Sequence, residues 1–312
     1  TRFFPDGHLN FAENLLGTAD DRPALVFRGE DPEVPGARRT LTRRDLHHLV
    51  SRLQQAMLDL GVEPGDRVAA WMPNVPETCA VMLAAASIGA TFSSTSPDFG
   101  ASGVIDRFGQ IRPVLLFAAD GYRYGGRRHD VTGRLAEVAG ALPDLRRLVV
   151  VPEDPSAGPV GTLPDGAVTL EAFLDPHGAD VVRFLDLPFD HPLYVLYSSG
   201  TTGKPKCIVH RAGGILLKHL VEHRLQCDVR ADDRVFYFTT AGWMMWNWLV
   251  SGLAAEATVV LYDGSPFEPD GNRIFDLADE CDLTFLGVSA KFIDSVATAG
   301  LRPVETHALA NL

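Results

Sequence analysis

Tyr197-Ser198-Ser199-Gly200-Thr201-Thr202-Gly203-Lys204-Pro205-Lys206, entered from the apolar run Leu193-Tyr194-Val195-Leu196, is the stretch on which the reading of this chain turns. It holds four aliphatic hydroxyls, two glycines and two lysines. Hydroxyls and glycine amides donate hydrogen bonds, glycine lets a ligand approach the backbone, and lysine supplies fixed positive charge. Such a set suits a polyphosphate, with Lys204 and Lys206 meeting its charge and Ser198, Ser199, Gly200, Thr201, Thr202 and Gly203 orienting its oxygens. The nucleotide P-loop does not fit, because only two residues separate Gly200 from Gly203 and Pro205 follows the lysine. Cys207-Ile208-Val209-His210 then reads as a strand. The residues alone leave two readings open, a strand–loop–strand phosphate clamp and a plain polar hairpin.

Composition narrows the field. The 312 residues are 46% hydrophobic and 22% charged, as in an ordinary globular chain with ample core. A net charge of −12 argues against a nucleic-acid or membrane-surface partner. No apolar run is long enough to span a bilayer or to act as an N-terminal signal. Cys79, Cys207, Cys227 and Cys281 are scattered, without Cys-x-x-Cys spacing, so neither zinc nor a disulfide framework is expected and a cytoplasmic setting is. His47-His48 sits on a charged helix and reads as solvated.

Outward from the loop, helix and strand alternate. A helix runs from Leu41 to Gly61, with Thr42 and Asp45 as a capping box and Leu46, Leu49, Val50, Leu53, Met57 and Leu60 on one face. Strands follow at 67–72, 90–94, 114–118 and 147–151, separated by helices at 77–88, 102–110 and 131–139. This alternation predicts an α/β fold with mostly parallel sheets covered by helices. Residues 152–192 hold seven of the 21 prolines and read as an irregular connection. Beyond it, strands at 193–197, 207–210, 235–239, 258–262 and 283–286 and helices at 214–226 and 272–280 form a second unit. The expected division is therefore an entry segment at 1–19, a first lobe at 20–190 and a second at 191–312. In such sheets ligands lie beyond the strand carboxyl ends, where both the hydroxyl loop and Thr239-Thr240-Ala241-Gly242-Trp243-Met244-Met245-Trp246-Asn247 are expected. The latter's tryptophans and methionines suit either an apolar pocket or the core. Arg123-Tyr124-Gly125-Gly126-Arg127-Arg128 precedes a predicted helix, where arginines oppose the macrodipole; a phosphate would compensate them, or they form a solvated cluster.

Ser198-Ser199-Gly200-Thr201-Thr202-Gly203-Lys204-Pro205-Lys206 resembles the signature loop of the adenylate-forming superfamily, and the resemblance spans essentially the whole chain. The resemblance implies two stacked, mostly parallel sheets, ATP phosphates on the loop, magnesium as helper ion, and catalytic Lys204 and Lys206 stabilising the leaving pyrophosphate. The Gly242-to-Asn247 segment is most similar to acetoacetyl-CoA synthetases. By that likeness Trp243, Met244 and Met245 line an acyl pocket, and Asn247 is expected to bond a polar acyl oxygen. Phe4-Pro5-Asp6-Gly7-His8-Leu9-Asn10-Phe11-Ala12-Glu13-Asn14-Leu15-Leu16 looks like the entry segment of the same branch. Arg123, Arg127 and Arg128 resemble the arginines that receive the CoA 3′-phosphate, whereas Met245 and Phe267 depart from CoA-contacting threonine and asparagine positions. Lys291 reads as a surface lysine.

The family's later motifs, a magnesium-holding Glu, a ribose-binding Asp and a small C-terminal lid with the adenylation lysine, are not among these residues. The resemblance thus implies the front part of a longer pattern, with negligible ligase activity by itself. The implied reaction joins a small carboxylic acid to CoA at the expense of ATP, with acetoacetate as the acid. Alternatives are another short-chain acyl-CoA synthetase and a non-catalytic nucleotide-binding module.

Overall fold

A computed structural model of the chain describes residues 3–198 and 203–312. Its N-terminal half begins with β1 (His8–Leu9), α1 (Phe11–Leu16), β2 (Pro23–Gly29), β3 (Arg38–Thr42) and α2 (Arg43–Asp59). Then come β4 (Arg67–Trp71), α3 (Pro76–Ser87), β5 (Thr91–Thr95), α4 (Ala101–Ile111) and β6 (Leu115–Ala119). A small hairpin, β7 (Gly121–Tyr124) with β8 (Arg127–Asp130), precedes α5 (Thr132–Gly140) and β9 (Arg147–Val151). The connection holds only β10 (Val168–Thr169), α6 (Leu170–Leu174) and β11 (Leu187–Pro188). Next are β12 (Pro192–Ser198), β13 (Lys206–Arg211), α7 (Ala212–Leu220) with a π-helical continuation to Gln226, and β14 (Arg234–Tyr237). The chain closes through α8 (Met244–Val250), β15 (Thr258–Asp263), α9 (Arg273–Glu280), β16 (Phe285–Gly287), α10 (Ala290–Thr298) and α11 (Pro303–Thr306).

Local chemistry sets the boundaries. Thr42 and Asp45 form the reciprocal capping box at the start of α2, and Gly61 turns away behind it at φ +77°. The seven-stranded sheet has the order β10-β9-β6-β4-β5-β12-β13 and is parallel except for the β12–β13 hairpin. The five-stranded sheet, β16-β14-β15-β2-β3, is parallel except for β2–β3. Successive strand residues face opposite ways and fill different layers. Val68, Ala70, Phe92 and Phe117 of one sheet and Leu25, Phe27, Val259 and Leu261 of the other share the central core with α1, α2 and α3. Ala69, Trp71, Leu116 and Ala118 face α4 and α5 outside one sheet, while Val26, Val260 and Tyr262 face α9 outside the other. The result is two stacked sheets with helices between them and on both outer faces. Apolar on every side, α3 is buried from Thr78 through Ser87, as a helix between two sheets must be.

The sheets do not follow the expected division at 190/191. β2 and β3, from the N-terminal side, pair onto β15, with Leu25 opposite Val259. β12 and β13, assigned from sequence to the second lobe, extend the first sheet, with Tyr194 beside Phe92. Periodicity marks a strand but not its neighbour, and a parallel sheet accepts strands from distant chain segments when helices cover the crossovers. The entry segment is held to the connection: β1 pairs with β11, and the Asn10 amide donates to Ser87 O at 3.0 Å and Leu185 O at 2.9 Å.

Candidate active site

The β12–β13 hairpin is a strand–loop–strand. Tyr197 lies opposite Cys207 and Ser198 opposite Lys206, so this pair stands at the end at which parallel β12 and β5 finish. Ser199, Gly200, Thr201 and Thr202 fall outside the described residues. Of the remainder, Gly203 stands at φ +150° with open space where a Cβ would be, and Lys204 and Lys206 are exposed. These side chains suit a polyphosphate. They leave its oxygens accessible to two ammonium groups and to a backbone that only glycine adopts readily.

The loops after β4, β5 and β14 meet beside this hairpin. Ser94 Oγ donates to Ala241 O at 2.6 Å. A Cβ on Gly242 would stand 3.2 Å from Ser96 N and 3.5 Å from the Phe99 ring, so glycine permits that approach. Phe99 in turn lies under the Arg107 guanidinium, 4.1 Å from its ring centre, and Arg107 also reaches over Tyr197 at 5.8 Å. Asn74, 1% exposed, ties the β4 loop to the β14 loop, β15 and α8: its amide donates to Thr239 O and Tyr262 O, and its Oδ1 accepts from Trp246 Nε1 at 2.9 Å. Sequence reading missed Asn74, Phe99 and Arg107. A polar residue in the turn after a strand, and an arginine one turn beyond Gly103 on α4, were the available signals.

Burial divides the Trp-Met segment along the chain. Trp243 and Met244 stand on the rim, 61% and 47% exposed, Met245 is half-buried against the core, and Trp246, Trp248 and Asn247 are buried. Asn247 is thus buried one turn below the exposed Met244 and is not on the rim with it and Trp243. Its Nδ2 lies 4.0 Å from Met82 Sδ on α3, and its Oδ1 has no partner. A buried amide oxygen without a donor costs stability. Asn247→Leu should therefore leave stability within about 1 kcal/mol of the parent or raise it. Any loss of activity should be equal for acetoacetate and butyrate, and a selective loss with acetoacetate in parallel rate measurements would return Asn247 to the pocket.

The arginine cluster is also reassigned. It does not sit at a helix N-terminus but on the β7–β8 hairpin, whose Gly125 and Gly126 both have positive φ, as a two-residue primed turn requires. The compensating anions are the protein's own. Arg123 Nε donates to Glu153 at 2.7 Å and pairs with Asp31 at 3.3 Å; Arg128 donates to Glu153 at 2.8 Å and pairs with Asp120 at 3.3 Å. Glu30 accepts from the Gly125 and Gly126 amides at 2.9 and 2.7 Å. Only Arg127 of the three is exposed without an ion pair among the described residues. Arg123 and Arg128 thus fit a CoA phosphate poorly, and Arg127 retains the chemistry for one.

Between the strand ends of the two sheets lies a cavity of about 460 Å³ lined by Phe27, Met72, Arg39, Glu77, Glu153 and Asp263 among others. Arg39 and Glu77 neutralise each other in a bidentate pair. Burial pushes the Asp263 carboxyl up to about 7, and Glu153, Glu30 and Asp98 add to the rise. Among the described residues no group of three or more His, Cys, Asp or Glu side chains is placed to hold a metal ion. None of their helices is long and apolar enough to cross a membrane.

Comparison with known proteins fits this geometry. The chain is 54% identical over 311 residues to an acetoacetyl-coenzyme A synthetase of Rhizobium meliloti (strain 1021), covering 100% of this chain and 47% of that protein. It is 42% identical over 314 residues to the malonamoyl-CoA synthetase vrtB of Penicillium aethiopicum, covering 93% of this chain and 42% of that one. The solved acetoacetyl-CoA synthetase from Streptomyces lividans superposes with a TM-score of 0.92 at 42% identity, over 100% of this chain and 47% of the other. The chain spans about half the length of the relatives it matches. A family model described as AMP-binding enzyme matches residues 11–311, and the chain belongs to that family.

Proposed function

We propose that this chain is the phosphate- and acid-binding part of an ATP-dependent acid–CoA ligase whose acid is acetoacetate. The observation that carries the reading is the convergence, around β5 and Phe99, of the lysine-bearing hairpin with the loop that presents Trp243 and Met244. Family membership and the names of the relatives support it. An acetoacetate oxygen, already ionised near neutral pH, would attack the α-phosphorus of ATP as the bond to the β-phosphate oxygen breaks. Lys204 and Lys206 would take up the charge left on pyrophosphate, while Trp243 and Met244 cover the acyl chain. The CoA sulfur would then displace AMP from the acyl carbon, its proton passing to solvent. Magnesium, the helper ion the family reading implies, would add charge neutralisation at the phosphates. Arg127 would be the cluster's contribution to the CoA phosphate. A cytoplasmic setting accords with four free cysteines.

A second acid is favoured by the likeness to a malonamoyl-CoA synthetase, since malonamate and acetoacetate both carry a carbonyl β to the carboxylate. Acid-dependent ATP–pyrophosphate exchange by the gene product that carries this chain separates these readings. Acetoacetate, malonamate, acetate, propionate and butyrate should be run in parallel. Highest exchange with acetoacetate is expected. Preference for acetate or propionate would keep the reaction and replace the substrate, and exchange with no acid would favour a non-catalytic nucleotide-binding module.

A further inference from the structure

The two lysines of the hairpin are not equivalent. Lys206 sits on β13 opposite Ser198, exposed and without an ion pair among the described residues. Lys204 is instead held by α4, its Nζ 3.2 Å from Asp106 Oδ1. One residue on, the Pro205 carbonyl accepts from Gln110 Nε2 at 2.9 Å, and the same nitrogen donates to Asp106 O at 2.7 Å. Asp106 and Gln110 are four residues apart and so share a face of α4, directed at the C-terminal stem of the hydroxyl loop. Between them, Arg107 is turned away: it stacks on Phe99 and donates to Gly103 O at 2.7 Å, forming no ion pair with Asp106. Lys204 is thus the cation that Asp106 meets among the described residues.

We propose that Asp106 is a positioning residue for Lys204, holding its ammonium against α4 until a polyphosphate takes it over. This rests on the proposed role of the hairpin. The pair is suited to exchange. Its side chains are 72% and 41% exposed, and such pairs shift an equilibrium by only about two- to fivefold. A polyphosphate offers several charged oxygens and outcompetes a single carboxylate. The Gln110 bond is neutral and survives the exchange, so the stem keeps its place while the lysine swings. Asp106 also adds a negative charge beside a site that must bind ATP and then release pyrophosphate. It therefore weakens both anions, and its effect on product release favours turnover.

The test compares wild type, Asp106→Asn and Asp106→Glu in the gene product that carries this chain. Pyrophosphate and ATP binding are measured by calorimetry, and KM for ATP and for the acid by exchange. Asp106→Asn should bind pyrophosphate about two- to fivefold more tightly and lower KM for ATP by a similar factor. KM for the acid and the thermal midpoint should stay unchanged. The gap should narrow in 0.5 M salt, roughly the range in which screening acts over a few Å. Asp106→Glu should behave as wild type. If wild type binds but Asp106→Asn binds equally or more weakly, the positioning role alone is overturned. If wild type binds neither anion, the hairpin's phosphate role falls and this inference with it.

Discussion

Trp246→Ala should cost about 3–5 kcal/mol of stability, the range for a large aromatic removed from a closed core. Trp246 is fully buried, its ring centre 6.2 Å from that of Phe92, and its indole N–H is the donor to Asn74 Oδ1. Truncation therefore opens a cavity between α8 and β5 and also strands the oxygen of an amide that is itself buried. Trp246→Phe separates the two effects. The phenyl ring fills most of the space, so its cost should reduce to the unsatisfied Asn74 oxygen, about 1–3 kcal/mol. Trp243→Ala, four-tenths buried on the rim three residues earlier, is the control and should stay within about 0.5 kcal/mol. Denaturant unfolding of the four proteins decides the matter. Equal midpoints for Trp246→Ala and Trp243→Ala would mean that α8 is not anchored through Asn74. The functional consequence follows from the same anchor. Trp246 is one turn from Trp243 and Met244, so releasing it should shift the rim they form and raise KM for the acid more than KM for ATP.

That anchor also shows what the sequence could and could not tell. α2 was readable because every local signal agreed, from the Thr42–Asp45 box to the apolar face and Gly61. The strands from 67 to 151 were placed within a residue or so by the short, near-continuous apolar runs of a parallel sheet covered on both faces. Chain-distant pairing was not legible: nothing in Pro23–Gly29 states that its neighbour is Thr258–Asp263. Within the site, the hairpin strands were evident, whereas the burial of Asn247 on α8 was not. Residues one apart on a helix do not share a face, so the tryptophans at 246 and 248 do not by themselves tell where the amide points. The arginine hairpin carried its own unread signal, Gly125-Gly126 between matched short segments. Asp106 and Gln110 were out of reach altogether. On a solvent-facing helix, charged and amide residues are what composition leads one to expect, and only the fold reveals that this face meets the stem of the loop.

Acid titration should expose two buried groups of opposite sense. His219, 2% exposed on α7, has its pKa lowered from 6.5 to about 4 by burial; His223, His210 and Lys218 add to the fall and Glu222 opposes it. Between those values the unfolded chain binds a proton that the folded chain does not, so His219 makes stability rise with pH. From pH 4.5 to 7 the gain is about 2 kcal/mol. Asp263 acts the other way. With its pKa raised from 3.8 to about 7, the folded chain keeps a proton that the unfolded chain has released, and stability falls by about 3 kcal/mol across the same interval. His47, His210 and His223 are lowered by burial in the same sense as His219 and add to the rise that opposes Asp263. Single substitutions should separate the parts. His219→Gln removes a rising contribution, and its stability should decline from pH 4.5 to 7 relative to wild type. Asp263→Asn removes the falling one, and its stability should climb relative to wild type over the same range. Urea midpoints at pH 4.5, 5.5 and 7 for the three proteins test both signs. Profiles that stay parallel would mean that neither group is as desolvated as its packing implies, whereas slopes that part in opposite directions would show the sheet interface and the α7 layer titrating against each other.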